Sequence, residues 1–289
     1  MVRINIFITS LITKLKIIRE NMYKTNEKLP LLKFESFDRT GMVEHGFTTR
    51  DGGVSSGYLS SLNLGWNRGD DINNVRENYR RLAEAIGTTP DHFVKGDQTH
   101  TANVRIVTED DMGKGITRDR DYSDVDGLIT NVPGIALVTL HADCVPLYFL
   151  DPEKKAIGMT HAGWRGTVQE IARVTVESMK NTYGSDPADI ICAIGPSICQ
   201  NCYEVGQDVA DEFYKAMPGI TDKILRDDKN GHYHLNLWEA NRQVLLSAGI
   251  LEGNISVSGI CTYENSDMLF SHRKTNGKRG NCGAVIMLK

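Results

Sequence analysis

His100, Cys144 and His161 have the side-chain types and settings that could do metal-assisted chemistry. Cys144 lies in His141-Ala142-Asp143-Cys144-Val145-Pro146, where polar groups and a thiol interrupt an otherwise apolar run. Such a break costs free energy unless the groups are paired or bound to something. A buried structural cysteine is the competing reading of Cys144 taken alone. His161 opens His161-Ala162-Gly163-Trp164-Arg165-Gly166, where a strand pattern meets a helix pattern. A helix start favours an anion through its free N–H groups and its dipole. Arg165 adds a guanidinium that can fork onto phosphate or carboxylate. The bland alternative there is a tight turn with a surface arginine. His100 closes Gln98-Thr99-His100 and is a weak signal by itself. Two imidazoles and a thiolate together make a three-point zinc site with its fourth position open. A catalytic zinc uses that position to activate water or phosphate. The spacing matches no zinc finger, so the fold has to assemble the three.

Other candidates carry less. Cys199-Gln200-Asn201-Cys202 is a C-x-x-C that could be redox-active or half of a structural zinc site. A four-cysteine site needs a second such pair, and a thioredoxin-like context is missing, so these are read as structural cysteines. Asp124-Val125-Asp126 offers paired carboxylates in a turn-like setting where surface aspartates are common. The basic stretch Ser271-His272-Arg273-Lys274 with Lys278-Arg279 is read as a solvated loop in preference to a phosphate grip.

The elements that must position these residues follow from periodicity. Residues 43–50 read as a strand. Val75, Tyr79, Leu82, Ala83 and Ile86 fall on one helix face, with Gly87 at the capping position. Residues 135–150 read as a buried strand, a polar break at His141–Cys144, and a second buried strand. Ala156–Thr160 is a short strand that delivers His161. One helix is expected from there, through Val168, Ile171, Ala172 and Met179 to Gly184. A strand over 190–194 and a helix over 206–217 come next. Asn236 and Glu239 resemble a capping box ahead of a helix. Residues 255–263 and 284–288 read as closing strands. The expectation is an α+β protein with mixed sheets, without the regular alternation of a doubly wound fold. No GxGxxG or Walker sequence occurs.

Bulk properties bound the function. The 289 residues are 40% hydrophobic and 24% charged, ordinary for a globular chain. A net charge of −4 gives no global basic field for nucleic acid. Six scattered cysteines do not make a disulfide scaffold, and reduced thiols in a cytoplasmic protein are expected. Ile4–Ile18 is apolar but too short for the roughly 20 residues of a membrane span. Met22 opens a polar start, and residues 1–22 are expected to be an N-terminal extension before a single catalytic domain over 23–289. An amphipathic N-terminal helix and a membrane anchor are the alternatives for that segment.

From about residue 34 to the C-terminus the chain resembles the multicopper polyphenol oxidase-like (laccase-domain, or YfiH) family of purine nucleoside phosphorylases. The segments that carry the resemblance include HGFTTRDGGVSSGYLSSLNLG (45–65), GDQTH (96–100), DGLIT (126–130), HADCVPLYFLD (141–151), THAGWRGT (160–167), IGPSICQNCYEVG (194–206) and CTYENSDMLFSHRKTNGKRGNCGAVI (261–286). The resemblance implies a metal at His100, Cys144 and His161, zinc first and copper second. It implies phosphorolysis of adenosine, inosine and methylthioadenosine, with adenosine deamination at the same site. Its partners would be a purine nucleoside and phosphate, with no nucleic acid and no membrane. Arg50, Asp143 and Arg165 are the expected substrate contacts. The implied fold is a mixed-sheet α/β sandwich like that of the toxin-type (cytotoxic necrotizing factor/YfiH-like) cysteine hydrolases. The chain departs from the family at Thr101, where glycine is common, at Cys199-Gln200-Asn201, and at His272, where tyrosine is frequent.

Three other functions compete. Cys144 could be a nucleophile with His161 as its base, cleaving amide bonds of cell-wall precursors. Copper phenol oxidation ranks low, because eight histidines supply too few pairs for several coppers. A non-catalytic binding protein is disfavoured by the intact His100, Cys144 and His161.

Overall fold

The computed structural model describes residues 22–25 and 29–289, so the expectations for residues 1–21 lie outside the described residues. The apolar runs pair into two six-stranded sheets. In the first, β1 (Met22–Lys24), β2 (Leu31–Phe34), β3 (Val43–Thr48), β15 (Cys282–Leu288), β7 (Ala136–His141) and β4 (Phe93–Lys95) lie side by side in that order. All of these pairs are antiparallel except β4 with β7. In the second, the order is β14 (Ile255–Val257), β10 (Ile191–Ile194), β8 (Val145–Asp151), β9 (Ala156–Ala162), β6 (Gly127–Thr130) and β5 (Val104–Ile106). There the two edge pairs are parallel and the inner ones antiparallel. A small third sheet joins β11 (Glu204–Gly206), β13 (His232–Leu235) and β12 (Leu225–Asp227). The protein is therefore mixed α/β with mixed sheets.

Strand side chains alternate between faces, and here each face has a cover. Leu137 of β7 packs between the sheets with Phe47, Ile286, Tyr148 and Leu150. Its neighbours Ala136 and Val138 face the other way, onto Val75, Tyr79 and Leu82 of α2 (Ile72–Ala85). On β8, Val145, Leu147 and Phe149 face α4 (Ile171–Tyr183), α5 (Gln207–Ala216) and α7 (Leu237–Ser247). The layers run helix, sheet, sheet, helices. Covered on both faces, β7 and β8 read as near-continuous apolar runs, without the alternation of a half-exposed strand.

The helix end expected at Gly87 holds, with Gly87 at a positive φ of 74° beyond α2; its N-terminus is capped by Asp71, which accepts from the Asn73 N–H at 2.8 Å. Other expectations need correction. The single helix expected after His161 is two helices, α3 (Trp164–Val168) and α4, broken at Glu170, which adopts φ 54°. Asn236 accepts from the Glu239 N–H at 3.1 Å, but the Glu239 carboxylate turns to Arg242 and Gln243, so only half of the capping box forms. A complete box occurs instead at Thr108 and Asp111. Of residues 255–263 only Ile255–Val257 is strand, and Cys261 makes an isolated bridge to Ser197. Met22, left with the extension in the expected boundary, is 1% exposed and pairs with Phe34. Among the described residues no helix is long and apolar enough to cross a membrane.

Candidate metal centre and substrate cavity

The polar break at His141–Cys144 is the step from the first sheet to the second. His141 is buried and spans the turn: Nδ1 donates to Cys144 O at 3.0 Å while Nε2 accepts from Thr139 Oγ1 at 2.8 Å. Burial holds its pKa well below the usual histidine value, so it stays neutral and structural. Asp143 has φ 87°, a left-handed conformation unfavourable for a side chain. It is held there because Thr262 Oγ1 donates to one carboxylate oxygen at 2.6 Å and the Arg273 N–H to the other at 2.7 Å.

Register brings the next ligand in. Pro146 pairs with His161 across β8 and β9. Cys144, two residues before Pro146, lies on the same side and is a diagonal neighbour of His161. The third candidate ligand comes from the loop after β4. Gln98 docks that loop on β7 by exchanging hydrogen bonds with the Leu140 backbone, both at 2.8 Å. His100 follows at φ 68°. The ligand atoms of His100, Cys144 and His161 all lie within 4.8 Å of one another.

One carboxylate ties the parts together. Asp126, 1% exposed, accepts from His161 Nδ1 at 2.8 Å through one oxygen. Its other oxygen accepts from Thr99 N at 3.1 Å, Thr101 N at 2.8 Å and Thr101 Oγ1 at 3.0 Å. It thereby fixes the His161 ring and both residues flanking His100. Burial disfavours this carboxylate, but the bond from His161 and those from the loop outweigh it and lower its pKa. Burial likewise pulls His161 down, but the Cys144 sulfur and Asp126 hold it up at about 9. His100 goes the other way, to about 4, through burial and the neighbouring His161.

The residues fit a metal ion. His100 Nδ1 is buried with no hydrogen-bond partner. A Cβ at Gly163 would fall 2.4 Å from that nitrogen and 3.3 Å from Cys144 Sγ, so glycine keeps the space between them open. His161, with Nδ1 on a carboxylate, presents Nε2 in the manner of a carboxylate-oriented metal ligand.

Two lobes of cavity adjoin the centre and share Arg68, His100, Ala142, Cys144 and Arg279. The polar lobe, about 350 Å³, adds Lys95, Gln98, Asn281 and the ion pair of Arg120 with Asp97, 2.6 Å apart. The other, about 430 Å³, adds Trp164, Ile198, Tyr203 and Leu237, with His272 and Arg273 at its wall. Among the described residues Arg68, Lys95 and Arg279 form no ion pair with a carboxylate. Burial pushes Lys95 down to about 8, with Arg120 adding to the fall and Asp97 opposing it, and Arg279 to about 10, with Arg68 adding to the fall and Cys144 and Asp143 opposing it. A larger cavity of about 550 Å³ shares Trp66 and Arg120 with the polar lobe but holds none of the three ligands.

Of the expected substrate contacts, Asp143 lines the apolar lobe with both carboxylate oxygens already engaged. Arg165 is exposed and stacks 4.2 Å over the ring of Trp164, itself a lining residue. Arg50 is not brought to the centre: it donates to Ser60 O and Ser266 O and lies over Phe270. The helix after His161 has only five residues, too few for the anion site expected of its dipole. In the basic stretch near the C-terminus His272, Arg273, Lys274 and Lys278 are exposed, as expected of a solvated loop, but Arg279 departs from it, being 9% exposed and facing both lobes. Asp126, read as a surface aspartate, is the buried orienting group. Its only sequence signal is its place in DGLIT, directly before a strand.

A family model described as Multi-copper polyphenol oxidoreductase laccase matches residues 44–289. The purine nucleoside phosphorylase YlmD of Bacillus subtilis is 40% identical over 248 residues, covering 84% of this chain and 88% of its own length. A protein named adenosine deaminase RL5, from an unknown prokaryotic organism, is 35% identical over 263 residues, covering 90% of this chain and all of its own length. The crystal structure of the hypothetical protein YfiH from Bacillus licheniformis superposes with a TM-score of 0.87 at 38% identity, covering 91% of this chain and 98% of the other.

Proposed function

The chain belongs to the multi-copper polyphenol oxidoreductase laccase family, and from this premise we propose that it is a metal-dependent purine nucleoside enzyme. The reaction we assign is phosphorolysis of adenosine, inosine and methylthioadenosine, with deamination of adenosine at the same centre. The observation that carries this reading is a single three-residue centre set between an aromatic lobe and a lobe in which Arg68, Lys95 and Arg279 have no ion pair. Multicopper oxidation would need several such centres, and His100, Cys144 and His161 supply one.

Arg68, Arg279 and Lys95 bind phosphate in the polar lobe, where their desolvated charges attract a dianion strongly. Trp164 and Tyr203 hold the purine in the other lobe by stacking. His100, Cys144 and His161 hold a zinc ion, which supplies Lewis acidity and positive charge at the junction of the lobes. Asp126 fixes the His161 ring and keeps a proton on its Nδ1, leaving Nε2 to the metal. The partners are then a nucleoside and phosphate, with no nucleic acid or membrane, and the expected compartment is the cytoplasm.

The test is incubation of the metal-replete protein with adenosine, with and without phosphate, and chromatography of the products. Adenine that appears only with phosphate supports phosphorolysis, and inosine supports deamination. Release of neither removes the assignment. A second reading has its own observation: Cys144, His161 and Asp126 also form a thiol–imidazole–carboxylate series, as in a cysteine hydrolase of toxin-type fold. Amide hydrolysis by thoroughly metal-depleted protein would favour it.

A further inference from the structure

The C-x-x-C at Cys199–Cys202 has a partner that only the fold supplies. Ser197 and Cys261 form an isolated parallel bridge, which lays the 197–203 loop beside the turn at 261–265. The sulfurs of Cys199, Cys202 and Cys261 lie within 4.8 Å of one another, and none is in a disulfide. Glu264 flanks the group: its Oε1 is 3.9 Å from Cys202 Sγ and 4.0 Å from Cys199 Sγ. The second half-site is thus Cys261-x-x-Glu264, with a carboxylate where a fourth thiol would stand.

We propose that Cys199, Cys202, Cys261 and Glu264 bind a second metal ion of the zinc class, separate from the centre at His100, Cys144 and His161. A tetrahedral zinc with Zn–S of about 2.3 Å and Zn–O of about 2.0 Å sets its sulfurs about 3.8 Å apart and each about 3.5 Å from the oxygen. The three sulfurs, within 4.8 Å of one another, and Glu264 Oε1, 3.9 and 4.0 Å from two of them, are spread wider than that tetrahedron and would draw in on the ion. Two backbone groups already point at one sulfur, the Cys199 N–H at 3.3 Å from Cys261 Sγ and the backbone of Glu264. Such donors favour a thiolate, against the burial that raises this thiol's pKa. Three thiols also cannot all pair as disulfides.

The ion would be structural and would act on the substrate cavity. Ile198 and Tyr203, on either side of the C-x-x-C, line the apolar lobe. Thr262, beside Cys261, holds Asp143 at the turn that presents Cys144. The staple therefore joins two walls of the cavity. This inference does not depend on which reaction the protein carries out.

The experiment uses the full chain carrying Cys144→Ala, which removes the only thiol of the other centre. The protein is stripped of metal and titrated with cobalt(II). One equivalent should produce sulfur-to-cobalt charge-transfer absorption, and the added change Cys202→Ser should weaken it. In parallel, one equivalent of zinc should block alkylation of Cys199 and Cys202, mapped by mass spectrometry. Absence of the absorption in the Cys144→Ala chain, or alkylation unchanged by zinc, overturns the proposal.

Discussion

At the scale of single residues, the site depends on what each side chain can no longer do elsewhere. His100 Nδ1 has no protein partner, and Cys144 offers the sulfur beside it. Cys144→Ala should abolish activity and metal retention at this centre while the circular dichroism spectrum and melting temperature stay near wild type, because the thiol fills no core position. Full activity in that variant would remove the site assignment. Asp126 acts through others. Asp126→Asn should weaken metal binding or activity about 10–100-fold, the usual cost of losing a ligand's orienting partner. Competition with a chelator measures it, and unchanged affinity would show that His161 needs no carboxylate. Thr101 Oγ1 gives Asp126 a third hydrogen bond to the same oxygen. Arg279→Gln should raise KM for phosphate more than KM for nucleoside. Equal effects on both would count against the division of the two lobes.

The elements set how close these residues come. The β8–β9 register places Cys144 and His161, and the tight junction of β9 with α3 leaves no room for a side chain at position 163. Gly163 has φ −70° and ψ 172°, which alanine adopts without strain, so only space forbids it there. Relieving the 2.4 Å approach to His100 requires a shift of about 1 Å, and misplacement of that size can cost about 100-fold in rate. Gly163→Ala should therefore lose most activity with little change in melting temperature. Retained activity would mean that the ring of His100 moves freely. The break between α3 and α4 belongs to this scale too. A continuous helix would carry Trp164 and Arg165 on a regular cylinder, whereas the turn at Glu170 frees α3 to follow the cavity wall.

Over the whole molecule, stability and pH are linked through a histidine far from the centre. His45 on β3 is fully buried between the sheets, and its Nε2 accepts from the Phe34 N–H at 2.8 Å. Burial holds its pKa at about 4 against the ordinary 6.5, with Asp38 and Glu44 pulling it up and Lys33 pulling it down. The unfolded chain therefore binds the proton first as pH falls. Stability should drop between about 6.5 and about 4, by on the order of 3 kcal/mol for this group alone. Urea midpoints measured across that window should slope less in His45→Gln than in wild type. Identical slopes would assign the acid sensitivity to other groups.

Residue types and local periodicity determined a good deal. They marked His100, Cys144 and His161, the paired strands on either side of His141–Cys144, and α2 with its cap, because each rests on chemistry or spacing within a few residues. What the tertiary structure alone decided is which distant groups share a space. Asp126 looked like a turn residue until pairing of β6 with β9 buried it against His161. Arg279 looked like a solvated charge until the fold set it with Lys95 on the wall of the polar lobe. Arg50 looked like a phosphate ligand until the Ser60 and Ser266 carbonyls claimed it. Cys261 and Glu264 lie some sixty residues from the C-x-x-C they face. Burial and long-range contact have no local period, so no spacing in the chain could announce them.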